Sequence, residues 1–320
     1  MDRLKQYKIA VLAGGASTER EVSLKSGAAV FNALKGAGVD VKFVDLTEES
    51  FGKIGSLGID LAFLALHGKY GEDGFIQGLL KENNIIFTGS DKTASNLALD
   101  KIRSKYKFVE RSVSTPGFVV VKRNEKVDAR NINVPCVVKP QFEGSSIGIA
   151  ICETKDDAVK AVLATRAYDG DALVEEYIGG RELTVGILDE KALPVVEIVP
   201  EDGYYDFHSK YLSGKTKYIV PAQLDGSISA KAQDLAIRAH KALGCKHMSR
   251  VDIRLDDKND MYVLEVNTIP GFTEKSLLPM AAKAAGITFP ELCRKILIMA
   301  IDESGAREYP HGSLGEERGT

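Results

Sequence analysis

The chain has 320 residues, 44% of them hydrophobic and 27% charged, with a formal net charge of −3. These values fit an ordinary globular protein and exclude a basic field for nucleic acid or a strongly acidic tail. The length exceeds what one hydrophobic core usually supports, about 250–300 residues, and implies two or three domains.

No apolar run approaches the roughly 18 residues of a membrane span. Lys5 and Lys8 precede the apolar stretch Ile9–Ala16, a faint imitation of a signal peptide. The stretch is short, contains two glycines and runs into a charged segment, so it reads as a first β-strand followed by a glycine turn. Cys136, Cys152, Cys245 and Cys293 are widely spaced and read as buried reduced thiols of a cytoplasmic protein, not a disulfide frame or zinc site.

In chain order, the first hundred residues alternate strand and helix. Ile9–Ala13 is a strand, Gly14-Gly15 a turn, and Thr18 with Glu21 fits a capping box opening a helix to Lys35. Strands follow at Val41–Val44, Leu61–Leu66 and Ile85–Phe87, with a helix at Phe75–Glu82. Such alternation predicts a doubly wound parallel sheet. A helix is expected from Thr93 to Val109 and a turn at Pro116. Strands are expected at Val134–Lys139 and Ile149–Cys152, a helix from Thr154 to Thr165, and a strand at Leu173–Tyr177. This second region reads as a small α+β unit. A third has strands Thr184–Leu188, Pro194–Ile198 and Lys217–Ile219 around a polar loop, Glu201–Thr216. It continues with a helix Ile228–Leu243, a hairpin over Arg250–Asn267, a last helix Glu291–Ile301 and a polar tail, Glu303–Thr320, read as mobile.

The hairpin carries the strongest chemical signal. Val251, Ile253 and Leu255 alternate with Arg250, Asp252 and Arg254, and Tyr262, Leu264 and Val266 alternate with Met261, Val263, Glu265 and Asn267. Period-two alternation gathers Asp252, Glu265 and Asn267 on one face beside Arg250. Hard oxygen ligands next to a fixed cation suit Mg²⁺ bound with phosphates, and a solvated polar face is the plain alternative. His67-Gly-Lys-Tyr-Gly-Glu-Asp-Gly74 lies at the carboxyl end of a strand, where α/β proteins gather ligands. Glu143–Gly148 can close its N–H groups over phosphates, or simply turn a hairpin. Lys139 ends an apolar strand and either aims into a cleft or snorkels to the surface. Glu21 is either a cap or a substrate ligand.

The order of these segments resembles the D-alanine–D-alanine ligases, ATP-grasp enzymes of peptidoglycan precursor synthesis, from about Ile9 to Ile301. The similarity rests on A-G-G-x-S-x-E-R-E-V-S at Ala13–Ser23 and H-G-x-x-G-E-D-G at His67–Gly74. It also rests on D-K-x-x-S-K at Asp100–Lys105, V-V-K-P at Val137–Pro140 and E-G-S-S-I-G at Glu143–Gly148. K-Y-L-S at Lys210–Ser213 and E-V-N-T-x-P-G at Glu265–Gly271 complete it.

The resemblance implies an α/β N-terminal Rossmann-like domain with a parallel sheet (1–98), followed by a two-part ATP-grasp α+β fold (99–183 and 184–310) and a mobile tail (311–320). It implies ligation of two D-alanines through an acyl phosphate made from ATP. Asp252, Glu265 and Asn267 would hold two Mg²⁺ ions, with Mn²⁺ as an alternative and a monovalent cation left open. Lys101 and Lys139 would contact ATP phosphates under the Ser145–Ser146 loop, with Lys210 also on the nucleotide side. Glu175, Tyr177 and Ile178 would line the adenine site, and Glu182 would hold the ribose. Glu21, with His67 nearby, would bind the first D-alanine. Arg250 and the Gly271 N–H would stabilise the oxyanion, and Ser276 and Leu277 would receive the second carboxylate. Glu21, Ser145 and Tyr211 would form a triad that locks the loop. A homodimer is the implied assembly.

Some positions depart from the family pattern. His247 and Met248 replace small residues, Arg254 replaces an apolar one, and Glu274-Lys275 replaces a smaller or polar pair. The rival readings are a sibling ligase taking D-lactate or D-serine second and a catalytically silent binding protein; Tyr211 argues against D-lactate. A dehydrogenase lacks its G-x-G-x-x-G opening, having only G-G-A-S-T.

Overall fold

The computed structural model describes residues 3–200 and 216–305. The expectations for Lys210, Tyr211, the loop as far as residue 215 and the tail beyond residue 305 fall outside the described residues.

Strand β1 (Ile9–Gly14) is buried along its whole length and pairs in parallel with β2 (Val41–Leu46) and β3 (Leu61–Leu64). β4 (Ile86–Phe87) completes a four-stranded parallel sheet in the order β2-β1-β3-β4. Alternation along β1 feeds two cores. Ile9, Val11 and Ala13 join one apolar cluster, and Ala10 and Leu12 join the other. Helix α1 (Arg20–Gly36) covers the first face through Val30 and Leu34. Gly27 is needed there, because a Cβ would come within 2.4 Å of the Ala13 methyl. The last described helix returns to this same cluster.

The expected capping box at Thr18 is absent. Helix α1 begins at Arg20 with Glu19 as N-cap, and no side chain bonds back to its first amides. The Glu19 carboxylate instead reaches out of the helix toward a distant loop. The expected helix from Thr93 to Val109 is two helices, α3 (Lys92–Leu99) and α4 (Lys101–Glu110), which follow α2 (Phe75–Glu82). Asp100 breaks them: its backbone leaves the helical region, and its carboxylate accepts from the Arg103 N–H at 3.0 Å and from Gln141 Nε2 at 2.9 Å. A side chain that caps a new helix competes with continuing the old one.

The central sheet is antiparallel, in the order β5-β8-β6-β7. Its strands are β5 (Phe118–Val121), β6 (Cys136–Pro140), β7 (Ala150–Cys152) and β8 (Ala172–Glu176). The sequence pattern shows only a turn before β5. Helix α5 (Lys155–Ala164), capped by the Thr154 hydroxyl, covers it through Ala158 and Val162.

The third sheet has β9 (Arg181–Leu188), β10 (Lys191–Ala192), β11 (Val196–Val199), β12 (Lys217–Ile219), β13 (Met248–Leu255) and β14 (Met261–Asn267). Its order is β12-β11-β9-β13-β14, with β10 on β9 and all pairs antiparallel. Leu183, Val185, Ile187, Val251, Ile253 and Leu255 pack beneath helix α6 (Gly226–Ala242). The opposite face therefore carries Glu182, Thr184, Arg250, Asp252 and Arg254.

Strict alternation put Val263 and Glu265 on one face, and the structure corrects this. The register passes from Asp252↔Glu265 to Ile253↔Val263, leaving Leu264 as an extra residue. This β-bulge shifts the phase of β14. Met261, Val263 and Val266 all enter the core, while Leu264 and Glu265 face a cavity. Helix α7 (Leu277–Ala284) and helix α8 (Phe289–Glu303) end the described chain, with Leu292, Ile296 and Leu297 of α8 packed against the first sheet. All four cysteines are free and buried, and Cys136 stands directly opposite Cys152 across β6 and β7.

Candidate active site

Two cavities lie between the three sheets. The first, about 840 Å³, is bounded by the start of α1, the His67 loop, the start of α4, the end of β14 and the turn before α7. The second, about 470 Å³, lies between the β6–β7 hairpin, the end of β8 and the polar face of β9, β13 and β14. Glu265 lines both.

The first cavity gathers Glu21, His67, Lys101, Ser145, Arg250, Asn267, Gly271, Ser276 and Leu277, all singled out by the sequence. His67 is held on both ring nitrogens. Nδ1 lies 3.2 Å from Glu72 Oε1, and Nε2 lies 3.2 Å from Ser26 Oγ. Ser26 Oγ also accepts the Phe272 N–H at 3.1 Å, which ties the His67 ring to the turn before α7. Neither Glu72 nor Ser26 stands out in the sequence, since one sits in a glycine-rich loop and the other in an ordinary helix. Ser276 is the N-cap of α7, and its hydroxyl lies 3.0 Å from the Thr273 N–H. The first amides of α7 lack intrahelical partners, which makes this end an anion site.

Ser145 does not meet Glu21. Its hydroxyl donates to the carboxylate of Glu19, two residues earlier. Glu21 falls one position into the helix and is exposed on the cavity wall. Helical rotation of about 100° per residue sends the two carboxylates in different directions. Ser145 and Ser146 both have positive φ, 50° and 60°. This left-handed pair turns the loop back between β6 and β7 and aims Ser145 at the first cavity and Ser146 at the second.

The second cavity is lined by Lys139, Ser146, Glu175, Tyr177, Ile178, Glu182 and Asp252. At its floor is a buried charge triad. The Glu175 carboxylate pairs with Lys139 through one oxygen and with Lys105 through the other. Lys105 is 1% exposed and also bonds Thr115 Oγ1 at 2.5 Å and the Val263 carbonyl at 3.1 Å. Burial alone would push the Glu175 carboxyl up, but the two ammoniums hold it below the usual range. Burial drags Lys139 down, and the carboxylates of Glu175 and Glu265 more than restore it. For Lys105 burial wins over the pull of Glu175, and its pKa drops to about 8. Nothing in the sequence marks Lys105 as buried, because lysine usually lies at the surface.

The two cavities meet at the hairpin. Asp252 stands opposite Glu265, and Arg250 opposite Asn267. Arg250 grips Asp252 with two bonds, 2.9 and 2.8 Å, and Thr184 Oγ1 donates to Asp252 at 2.6 Å. Lys101 bonds the Glu143 carbonyl, and its ammonium lies 3.9 Å from Glu265. Among the described residues no cluster of three or more His, Cys, Asp or Glu could hold a metal. The donor set is thus two carboxylates and the Asn267 amide oxygen. Hard oxygens that leave positions for water and phosphate fit Mg²⁺, which rarely takes an all-protein cage. Among the described residues no helix is long and apolar enough to cross a membrane.

Residues 107–298 match the family described as D-ala D-ala ligase C-terminus. A D-alanine–D-alanine ligase of Syntrophotalea carbinolica is 45% identical over 294 residues, covering 92% of this chain and 96% of that protein. One from Methylacidiphilum infernorum is 47% identical over 289 residues, covering 90% and 94%. Among solved structures, the Bacillus anthracis D-alanine–D-alanine ligase complexed with ATP has a TM-score of 0.83 and 32% identity, covering 93% of this chain and 98% of that one. The VanG D-Ala:D-Ser ligase of Enterococcus faecalis has a TM-score of 0.81 and 31% identity, covering 92% and 99%. The motifs, the ATP-grasp arrangement of the second and third sheets and these similarities agree: the chain belongs to the D-alanine–D-alanine ligase family.

Proposed function

We propose that the two cavities serve the two halves of one ligation, with ATP in the second and two D-alanines in the first. The observation that carries this is Glu265, which lines both cavities beside Lys101 and opposite Asp252. A carboxylate is a poor electrophile, so joining it to an amine in water needs activation. An oxygen of the first D-alanine attacks the γ-phosphorus of ATP at this junction, and ADP leaves. The amine of the second D-alanine, its ammonium proton lost to solvent, attacks the acyl carbon to form the C–N bond; the acyl C–O bond breaks and phosphate leaves with its electron pair, the remaining amine proton going to solvent.

Phosphoryl transfer asks a protein for position and charge. Asp252, Glu265 and Asn267 would hold the Mg²⁺ ions, whose charge would neutralise the transferring oxygens. Lys101 and Lys139 bring ammoniums to the phosphate end, and Ser146 caps it. Tyr177, Ile178 and Glu182 surround the base and ribose; Glu175 faces the base from its two lysines. Arg250 and the Gly271 N–H meet the developing oxyanion as a preorganised donor pair. Glu21 offers its carboxylate to the ammonium of the first D-alanine near His67. Ser276 and the Leu277 amide take the second carboxylate at the N-terminus of α7. The Ser145 contact with Glu19 draws the β6–β7 loop over the junction and keeps water from the acyl phosphate.

On this reading the dipeptide feeds peptidoglycan synthesis and the enzyme acts in the cytoplasm. The four free, buried thiols support a reducing compartment, and a homodimer is the assembly this reading implies. Phosphate release from ATP with D-alanine, D-serine, D-lactate and L-alanine compared is the test. D-alanine alone should support turnover on both sides of the new bond. Turnover only when D-serine or D-lactate is supplied would assign the sibling activity.

A further inference from the structure

Arg254 is the one residue of the β13 polar row that the mechanism leaves unused. It follows Arg250 and Asp252 on the same face and lies opposite Glu182 in register. Its side chain lines the second cavity together with Glu182 and Leu264, across from Val137 and Ile151 of the β6–β7 hairpin. One guanidinium nitrogen lies 3.5 Å from Glu182 Oε2, and another donates to the Gly180 carbonyl at 3.3 Å. Gly180 is locked in place: its φ is +93°, and a Cβ would strike the Leu255 carbonyl oxygen at 2.2 Å. Arg254 thus ties down both the turn after Tyr177-Ile178 and the carboxylate at the start of β9.

Two residues along a strand span about 7 Å. If phosphates sit at Asp252 and Glu265, sugar and base extend along β13 toward Arg254. A purine there is sandwiched between aliphatic side chains of the hairpin and a planar cation. Guanidinium is suited to this, because it packs on aromatic faces and is weakly hydrated. We propose that Arg254 is a nucleoside-contact residue, packing its guanidinium on the face of the base while holding Glu182 for the ribose hydroxyls. This rests on the reading of the second cavity as the nucleotide site.

The test is titration of the full-length chain with ADP and with inorganic pyrophosphate, for wild type, Arg254→Met and Arg254→Lys, with melting temperatures measured alongside. Arg254→Met should weaken ADP about five- to thirtyfold, the range for a cation–π contact that is partly desolvated. Pyrophosphate affinity should stay within about twofold, because RT ln 2 is far below one such contact. Arg254→Lys keeps the charge without the plane and should recover only part of the loss; it carries the test if the Met variant does not fold. ADP binding like wild type in both variants would reduce Arg254 to a strut for Gly180. Equal losses for ADP and pyrophosphate would make it a distant charge acting on phosphate, also overturning the proposal. Photolabelling with 8-azido-ADP separates the underlying reading. Label outside the peptides of the second cavity would remove the nucleotide site itself, and Arg254 with it.

Discussion

Ser145, on the loop between β6 and β7, donates its hydroxyl to Glu19 at the head of α1, 126 residues earlier in the chain. The bond joins a loop of the central sheet to the helix that follows the first strand, and both residues line the first cavity. Gly144 and Gly68 both lie against the Glu19 carboxylate, where a Cβ would come within 3.4 and 2.9 Å of it. The contact is thus built from three separate segments.

If this bond holds the loop over the reacting centre, Glu19→Gln should lower kcat/KM roughly ten- to hundredfold. A hydrogen bond to a charged group is worth about 1.5–3 kcal/mol. Ser145→Ala should cost about as much, and the double variant should cost little more than either single one, because both remove the same contact. Glu21→Gln should act differently, raising the KM for the first D-alanine without coupling to Ser145. Additive effects of Glu19→Gln and Ser145→Ala in steady-state kinetics would show that the bond plays no part in turnover.

The buried triad gives a stability prediction. Lys105→Met leaves Glu175 with Lys139 alone in a site 1% exposed. Removing one partner of a buried pair costs about 3–5 kcal/mol, and the remaining lysine should hold the loss near the lower end. Urea unfolding is the check. Replacing Glu175 by Gln in the same background would strand the buried Lys139 ammonium and should lower stability further. A loss under about 1 kcal/mol, typical of a surface pair, would contradict the burial.

Acid stability follows from His240. Burial, beyond the opposing attraction of Glu190, lowers its pKa from 6.5 to about 4, and its Nδ1 lies 2.7 Å from Ser249 Oγ. Burial lowers His247 too, against the pull of Glu303. Between about pH 6.5 and 4 the unfolded chain binds the His240 proton and the folded chain does not. Stability is therefore full above pH 6.5 and falls as pH drops through that window, by at most about 3 kcal/mol for His240. Unfolding free energies from pH 7 to pH 4 should show this slope, and His240→Gln should flatten it. An unchanged slope in that variant would place the acid sensitivity elsewhere.

Much of the site was legible before the fold was known. Alternation through Arg250–Leu255 predicts the face that carries Asp252, and the glycine-rich segment after Leu66 predicts the loop that carries His67. What stayed hidden has physical reasons. The bulge at Leu264 swaps one aliphatic residue for another and leaves no compositional trace, yet it decides where Val263 and Glu265 point. Glu19 and Glu21 are two identical carboxylates in one motif, and only the start of α1 and the path of a distant loop separate their roles. The break at Asp100 is written in a capping residue, but an Asp in a Lys- and Ser-rich helix looks like a surface charge. Lys105 reads as a surface lysine until the fold brings Glu175 to it.

Glu265 lines both cavities, and the proposed ligation puts it at the site of phosphoryl transfer. The most direct measurement is phosphate release by Glu265→Gln at saturating ATP, D-alanine and Mg²⁺, with the melting temperature recorded in parallel. The substitution keeps size and hydrogen bonding and removes the charge beside Lys101 and opposite Asp252. Turnover should fall by about a hundredfold or more, the scale of losing one preorganised electrostatic contact in the transition state, while the fold keeps its melting temperature. Turnover within about threefold of wild type, far below one such contact, would contradict the assignment of the junction as the reacting centre.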